Sequence, residues 1–196
     1  MASITLSPSG TTFVSSTLQD LNLSAIPLFI VGTNPTFGES IGLLQFPQPP
    51  IPVTTADKAT LRLFVLFKTG VDPSPLHVNR VTEAFDITTV TYNTMPAFVD
   101  TGSMAEIASS DVAKYIEIDV TSLVNQWLSD PQSNHGIALT NSDGTTEIQF
   151  GGNGIGEAFE PQLVIEYTTV TPDETGYAYI YNTGNQTIPV GGDIPF

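Results

Sequence analysis

The chain has 196 residues, 40% of them hydrophobic and only 13% charged, with 16 glycines and 15 prolines, a balance that favours many short strands joined by turns over long amphipathic helices. The net charge of −15 argues against nucleic acid and anionic membrane surfaces as partners, because both require basic contacts. The chain contains no cysteine, which excludes disulfides and Cys-ligated metal sites.

Short apolar runs separated by Gly, Pro and Asn turns recur along the chain and predict strands. In chain order the predicted strands are Ser3–Leu6, Thr12–Ser15, Ile26–Val31, Ile41–Phe46, Lys58–Phe67, His77–Val81, Thr88–Tyr92, Tyr115–Ile118, Gly136–Thr140, Glu147–Phe150 and Leu163–Tyr167. Asp143-Gly144 is interpreted as a hairpin turn. This spacing predicts an all-β fold, an antiparallel, jelly-roll-like β-sandwich, with one short amphipathic helix as its exception.

Residues 119–130 form that exception, because their apolar residues follow helical spacing. The apolar residues at positions i, i+3, i+4, i+7 and i+8 are Val120, Leu123, Val124, Trp127 and Leu128. Thr121 is predicted as the N-cap, and Pro131 is predicted to end the helix. Trp127, Leu123 and Val124 are predicted to lie in the core, with ligand stacking as the alternative role of Trp127.

The C-terminal end of the sequence is predicted to be separate from the sandwich. Residues 1–170 are assigned to the β-sandwich domain, and residues 171–196 to a linker and a tail. Aromatic residues at period two predict a tail strand that has no partner in its own domain. The predicted assembly residues are Tyr177, Tyr179, Ile180, Tyr181, Ile188 and Phe196. We therefore expect a second copy of the chain to accept this strand.

Several motifs occur in a characteristic order between Ser3 and Tyr167. They are Leu43-Leu44-Gln45-Phe46, the Thr-Val-Thr-Tyr-Asn-Thr-Met-Pro stretch that ends at Pro96, the Asp119-Val120-Thr121 helix start with Trp127, and Pro161-Gln162-Leu163-Val164-Ile165. This order resembles the DNRLRE domain family. The resemblance implies a β-sandwich module of a bacterial or archaeal surface or secreted protein, and some relatives of that family are carbohydrate-binding modules.

The tail carries a second resemblance. Residues 177–187, Tyr-Ala-Tyr-Ile-Tyr-Asn-Thr-Gly-Asn-Gln-Thr, are similar to the first strand of the jelly-roll domain that closes collagen-like proteins on Bacillus spores. The resemblance implies a donor strand and a location at the spore or cell surface.

No sequence pattern indicates catalysis. His77 and His135 stand alone without a motif, and the chain contains neither a Gly-x-Ser-x-Gly elbow nor a phosphate-binding loop. Calcium at Asp143, Asp173 or Glu174 stays open as an alternative, although the spacing matches no known calcium loop. We therefore expect a protein that is not an enzyme and that needs no cofactor or metal.

Two functional hypotheses follow from the sequence. The first is a structural subunit of a bacterial or endospore surface fibre that self-assembles by strand complementation through the tail. The alternative is a carbohydrate-binding module that takes surface glycans as partners, with Tyr92, Phe98 and Tyr115 as candidate exposed aromatics. Both imply an extracellular location without membrane insertion, and the N-terminus lacks the pattern of a classical signal peptide.

Overall fold

A computed structural model of the protein describes residues 1–169, which form eleven strands and one α-helix. The strands are β1 (Ala2–Leu6), β2 (Gly10–Ser15), β3 (Leu28–Asn34), β4 (Gly38–Gln45), β5 (Lys58–Thr69), β6 (Ser74–Val81), β7 (Phe98–Ile107), β8 (Tyr115–Asp119), β9 (Ile137–Thr140), β10 (Glu147–Gly151) and β11 (Gln162–Tyr167), and the helix is α1 (Thr121–Ser129). Short 3-10 turns occupy Tyr92–Thr94, Ser109–Asp111 and Pro131–Ser133.

All strand pairs are antiparallel, and the strands form one curled sheet whose two parts face each other across the core. The first part has the order β1-β11-β5-β8, and the second has the order β10-β3-β4-β9-β6-β7, with β2 beside β4. β5 belongs to both parts, because its first half pairs with β11 and β8 and its second half pairs with β10. The prediction of an all-β sandwich with one short helix is confirmed.

The main core fills the space between the two parts of the sheet, and α1 contributes to it. Trp127 and Val124 are 0% exposed and Leu123 is 3% exposed, so the apolar face of the helix lies in the core. Gln48 donates a hydrogen bond to the Trp127 carbonyl at 2.9 Å, and the Asn125 side chain accepts one from the Ala56 amide at 2.7 Å. These polar contacts hold the helix against the chain segment that precedes β5.

A second, smaller core lies on the outer face of the second part of the sheet. Residues 82–97, which we call the cover loop, pack over it with partly buried aromatic and methionine side chains. Gln45 donates a hydrogen bond from its side chain to the Phe85 carbonyl at 3.0 Å, and Asn22 donates to the Ile87 and Val90 carbonyls at 2.9 and 2.7 Å. The cover loop is therefore tied to the sheet by hydrogen bonds as well as by apolar contact.

The predicted strand Thr88–Tyr92 is wrong, because this segment is part of the cover loop and turns tightly. The Asp86 carboxylate accepts hydrogen bonds from the amide and hydroxyl of Thr88, at 2.8 and 2.7 Å. A short acidic side chain that accepts hydrogen bonds from the nearby backbone competes with strand pairing. Here the hydrogen bonds to Asp86 stabilise a turn in place of a strand. The following strand, β7, was not predicted, because the polar and apolar residues of its sequence FVDTGSMAEI do not alternate, although their burial does from Thr101 to Ile107.

Two smaller predictions are also wrong. Thr121 is the first helical residue and Val120 holds the N-cap position. The Asp119 carboxylate accepts from the Thr121 amide at 2.8 Å, while the Thr121 hydroxyl accepts from the Ala59 amide at 2.9 Å. Asp143-Gly144 is not a hairpin turn, because the strands on either side, β9 and β10, pair with other strands.

No helix within residues 1–169 is both long and apolar enough to span a membrane. The predicted assembly residues Tyr177, Tyr179, Ile180, Tyr181, Ile188 and Phe196 lie outside the described residues. The division into residues 1–170 and 171–196 stays a prediction.

Candidate functional site

The outer face of the first part of the sheet presents rows of polar and aromatic side chains. Residues that face each other across antiparallel strands project to the same side, so the strand register defines these rows. The rows across β11, β5 and β8 are Glu166 and Lys58; Val164, Thr60 and Asp119; Gln162, Arg62 and Glu117; and Phe64 and Tyr115. We call this surface the β5 face, because β5 runs along its centre.

The charged end of the β5 face is concave. A shallow depression of about 230 Å³ lies over the three strands. Its lining residues are Lys58, Thr60, Arg62, Glu117, Val164 and Glu166. Cationic, anionic, hydroxyl and apolar groups therefore meet in one small hollow.

Arg62 is held in place at the centre of the β5 face. Its Nε lies 3.1 Å from Glu117 Oε1, and its Nη1 donates to Gln162 Oε1 at 2.6 Å. Its Cζ lies 4.6 Å from the centroid of the Tyr115 ring, within cation–π range. A guanidinium fixed on three sides loses little conformational freedom when it binds a ligand.

The other end of the β5 face is aromatic. The Phe64 ring meets the Tyr115 ring at 5.3 Å and 79°, and it meets the Phe159 ring at 4.8 Å and 66°. Phe159 is 39% exposed, whereas Phe64 is half-buried between its neighbours. Phe159 is therefore the ring that a ligand can reach at this end.

Tyr115 fixes the loop that carries Phe159. The Tyr115 hydroxyl donates hydrogen bonds to the carbonyl oxygens of Glu160, at 2.9 Å, and Ala158, at 3.2 Å. Burial raises the pKa of the Tyr115 phenol. The positive charge of Arg62 lowers this pKa and the negative charge of Glu160 raises it, so the net change is upward. The phenol therefore stays protonated and keeps its hydrogen bond near neutral pH.

The structure separates the three aromatics proposed from the sequence. Tyr115 lies on the β5 face, but Arg62 covers its ring and its hydroxyl is bonded. Tyr92 and Phe98 are half-buried against the second core, and the Tyr92 hydroxyl donates to Glu39 at 2.8 Å. Sequence reasoning missed Phe159, since a phenylalanine between a Gly-rich loop and a strand gives no periodic signal.

His77, Trp127 and Asp143 are engaged in structural contacts, whereas the calcium candidates Asp173 and Glu174 lie outside the described residues. His77 lies on β6 with its Nε2 3.3 Å from Ser142 Oγ, and Trp127 is buried beyond the reach of a ligand. The Asp143 carboxylate accepts hydrogen bonds from Ser74, Thr145 and Thr146, donors that leave it poorly suited to calcium. Within residues 1–169, no group of three or more His, Cys, Asp or Glu residues could hold a metal ion.

The comparisons with known proteins identify the kind of module. The family model described as carbohydrate-binding module family 96 matches residues 2–167, which includes every strand of the β5 face. This match does not show the DNRLRE family that the sequence motifs resemble. No curated protein matches the chain.

Proposed function

Because the chain belongs to carbohydrate-binding module family 96, we propose that its β5 face binds a polysaccharide as a non-catalytic module. The module then works at the bacterial cell surface or in a secreted protein, where glycans are accessible. Its role is to hold the polysaccharide rather than to cleave it.

The fixed arrangement around Arg62 carries this proposal. A sugar ring offers hydroxyl groups at its edge and an apolar C–H surface on its face. Arg62, Glu117 and Lys58 supply donors and acceptors for hydroxyls, and Phe159 supplies an exposed ring for the apolar face. Because Arg62 is already held by Glu117 and Gln162, ligand binding needs little reorganisation of this group.

Family membership supports the carbohydrate-binding hypothesis more than the fibre hypothesis. Strand complementation through Tyr177, Tyr179 and Tyr181, the spore-surface location and the DNRLRE resemblance stay predictions from the sequence.

The test uses two phenylalanines of similar exposure. Phe159 is 39% exposed at the β5 face, and Phe67 is 43% exposed in the half of β5 that pairs with β10. A glycan array of neutral and uronate-containing oligosaccharides would first identify a ligand, and titration calorimetry would then compare Phe159→Ala with Phe67→Ala. We expect Phe159→Ala to weaken binding by roughly 0.5 to 1.5 kcal/mol, about two- to tenfold in Kd, and Phe67→Ala to leave it unchanged.

The outcomes separate the function from the location of the site. If no oligosaccharide binds the wild-type protein, the proposed function is wrong. If one binds and both alanine variants retain full affinity, the protein binds glycans elsewhere than on the β5 face.

A further inference from the structure

A second, larger depression lies between β7 and the start of α1, and we call it the β7–α1 groove. It has a volume of about 450 Å³ and is lined mainly by Thr101, Ser103, Met104, Asp119 and Ser122. A further hollow of about 230 Å³, with Arg80 and Gln126 in its lining, shares Thr101 and Ser122 with it. The two hollows therefore adjoin each other at Thr101 and Ser122, and the name β7–α1 groove covers both.

Several polar groups in the β7–α1 groove have unused hydrogen-bonding capacity. Within residues 1–169, the side chains of Ser103, Ser122, Gln126 and Arg80 form no hydrogen bond or ion pair. Met104 is 46% exposed in the same groove and offers apolar surface. The groove thus combines free donors and acceptors with an apolar contact, the combination that suits a sugar ring.

Asp119 joins the β7–α1 groove to the β5 face. It lies opposite Thr60 in a row of the β5 face, and it also lines the groove. Its Oδ1 accepts from the Thr121 amide at 2.8 Å, and hydrogen bonding by the side chain and the amide of Thr121 lowers the pKa of this carboxyl, so it is ionised and can accept a further donor near neutral pH. The groove therefore begins where the β5 face ends, at the edge of β8.

We propose that the β7–α1 groove is an extended subsite for the same polysaccharide, whose chain crosses the edge of β8 at Asp119 and continues along the start of α1. This inference rests on the proposed function of the β5 face. Asp119 accepts a sugar hydroxyl at the crossing, Ser122 and Ser103 bond hydroxyls in the groove, and Met104 packs against the apolar side of a ring. The ligand is accordingly a chain of several sugar units, and short oligosaccharides fill only the β5 face.

The test pairs two exposed serines of the same helix. Ser122→Leu removes a groove hydroxyl and fills part of the groove, whereas Ser129→Leu makes the same change seven residues later, outside the groove lining. Both positions are exposed, so neither change disturbs the core. Binding of a disaccharide and an octasaccharide of the glycan selected on the array would be measured by calorimetry and by amide chemical shifts.

We expect Ser122→Leu to weaken octasaccharide binding roughly three- to tenfold, about the value of one hydrogen bond, and to leave disaccharide binding unchanged. Ser129→Leu should bind both as the wild type does. The octasaccharide alone should shift the amide signals of Gly102 and Ser122.

Three results would overturn the inference. The first two leave the proposed function of the β5 face intact, and the third does not. If Phe159→Ala weakens both ligands while Ser122→Leu weakens neither, the β5 face is the whole site and only the extension fails. The same conclusion follows if the octasaccharide binds no more tightly than the disaccharide and leaves Gly102 unshifted. If the wild-type protein binds neither ligand, the proposed function and the extension fail together.

Discussion

Replacing Trp127 with alanine should destabilise the fold strongly. The whole side chain is removed from solvent, and truncating a buried tryptophan costs about 3 to 5 kcal/mol of unfolding free energy. The indole Nε1 is buried without a hydrogen-bond partner within residues 1–169. Such an unpaired donor already costs roughly 1 to 3 kcal/mol, and the alanine variant no longer bears that cost. The difference between the two ranges is centred at about 2 kcal/mol, so we expect a net loss of about 2 kcal/mol.

A second variant, Trp127→Phe, separates the effect of the unpaired N–H from the effect of the lost ring volume. Phenylalanine keeps most of the ring volume and removes the unpaired N–H, so its cost should stay below about 1.5 kcal/mol. Gln126→Ala changes an exposed neighbour on α1 and should stay within about 0.5 kcal/mol of the wild type. The hydrogen bond from Gln48 to the carbonyl of residue 127 is available in all three variants, because the acceptor is in the backbone.

Urea denaturation followed by circular dichroism measures these differences, since the variants at position 127 lack the only tryptophan of the chain. A loss of about 2 kcal/mol corresponds to a fall in Tm of roughly 4 to 8 °C for a protein of this size. An alanine variant that loses less than about 1 kcal/mol would refute the core role of Trp127. A phenylalanine variant as unstable as the alanine variant would show that the indole N–H has a partner after all.

Two further predictions concern Asp143 and the tail. Burial alone would raise the pKa of the Asp143 carboxyl, but hydrogen bonds from Ser74, Thr145 and Thr146 outweigh it and hold the pKa below the usual range. The ionised form therefore stabilises the fold above about pH 4, and this contribution is lost as the pH falls further. In urea titrations the wild type should exceed Asp143→Asn in stability at neutral pH and lose that lead on acidification, so a gap independent of pH would contradict this account. Deleting residues 176–196 should leave a folded monomer, while the full chain should form larger assemblies in light scattering that Tyr179→Asp with Ile180→Asp abolishes. Equal monomeric behaviour of all three proteins would end the strand-donation hypothesis.

The sequence predicted the strands whose apolar and β-branched residues form nearly continuous runs, such as β2, β3 and β4, which are buried over most of their length. The helical spacing of Leu123, Val124 and Trp127 located α1, since no strand could bury all three on one face. The strand predicted at Thr88–Tyr92 is wrong. Its β-branched residues favour a strand, but the Asp86 carboxylate accepts a hydrogen bond from the Thr88 amide and stabilises a turn. Local pattern alone could not reveal that competition.

The β5 face was less predictable than the fold. Tyr115 was a candidate from its residue type, but the partners of Arg62 could not be identified from spacing. Glu117 lies 55 residues from Arg62 in the sequence and Gln162 lies 100 residues from it. Only the strand register brings them together, and that register is set by the packing of the whole sheet.

From these long separations we expect the β5 face to form late in folding. Contacts between residues distant in sequence require large loops to close, so they form slowly and only after much of the chain is ordered. Arg62 meets Glu117 and Gln162 only when β8 and β11 pair with β5 on either side, and the chain between these two strands includes α1. A partly folded chain therefore lacks the β5 face. If the β5 face binds a glycan as proposed, a glycan that spans the three strands binds only the folded domain and shifts the folding equilibrium towards it.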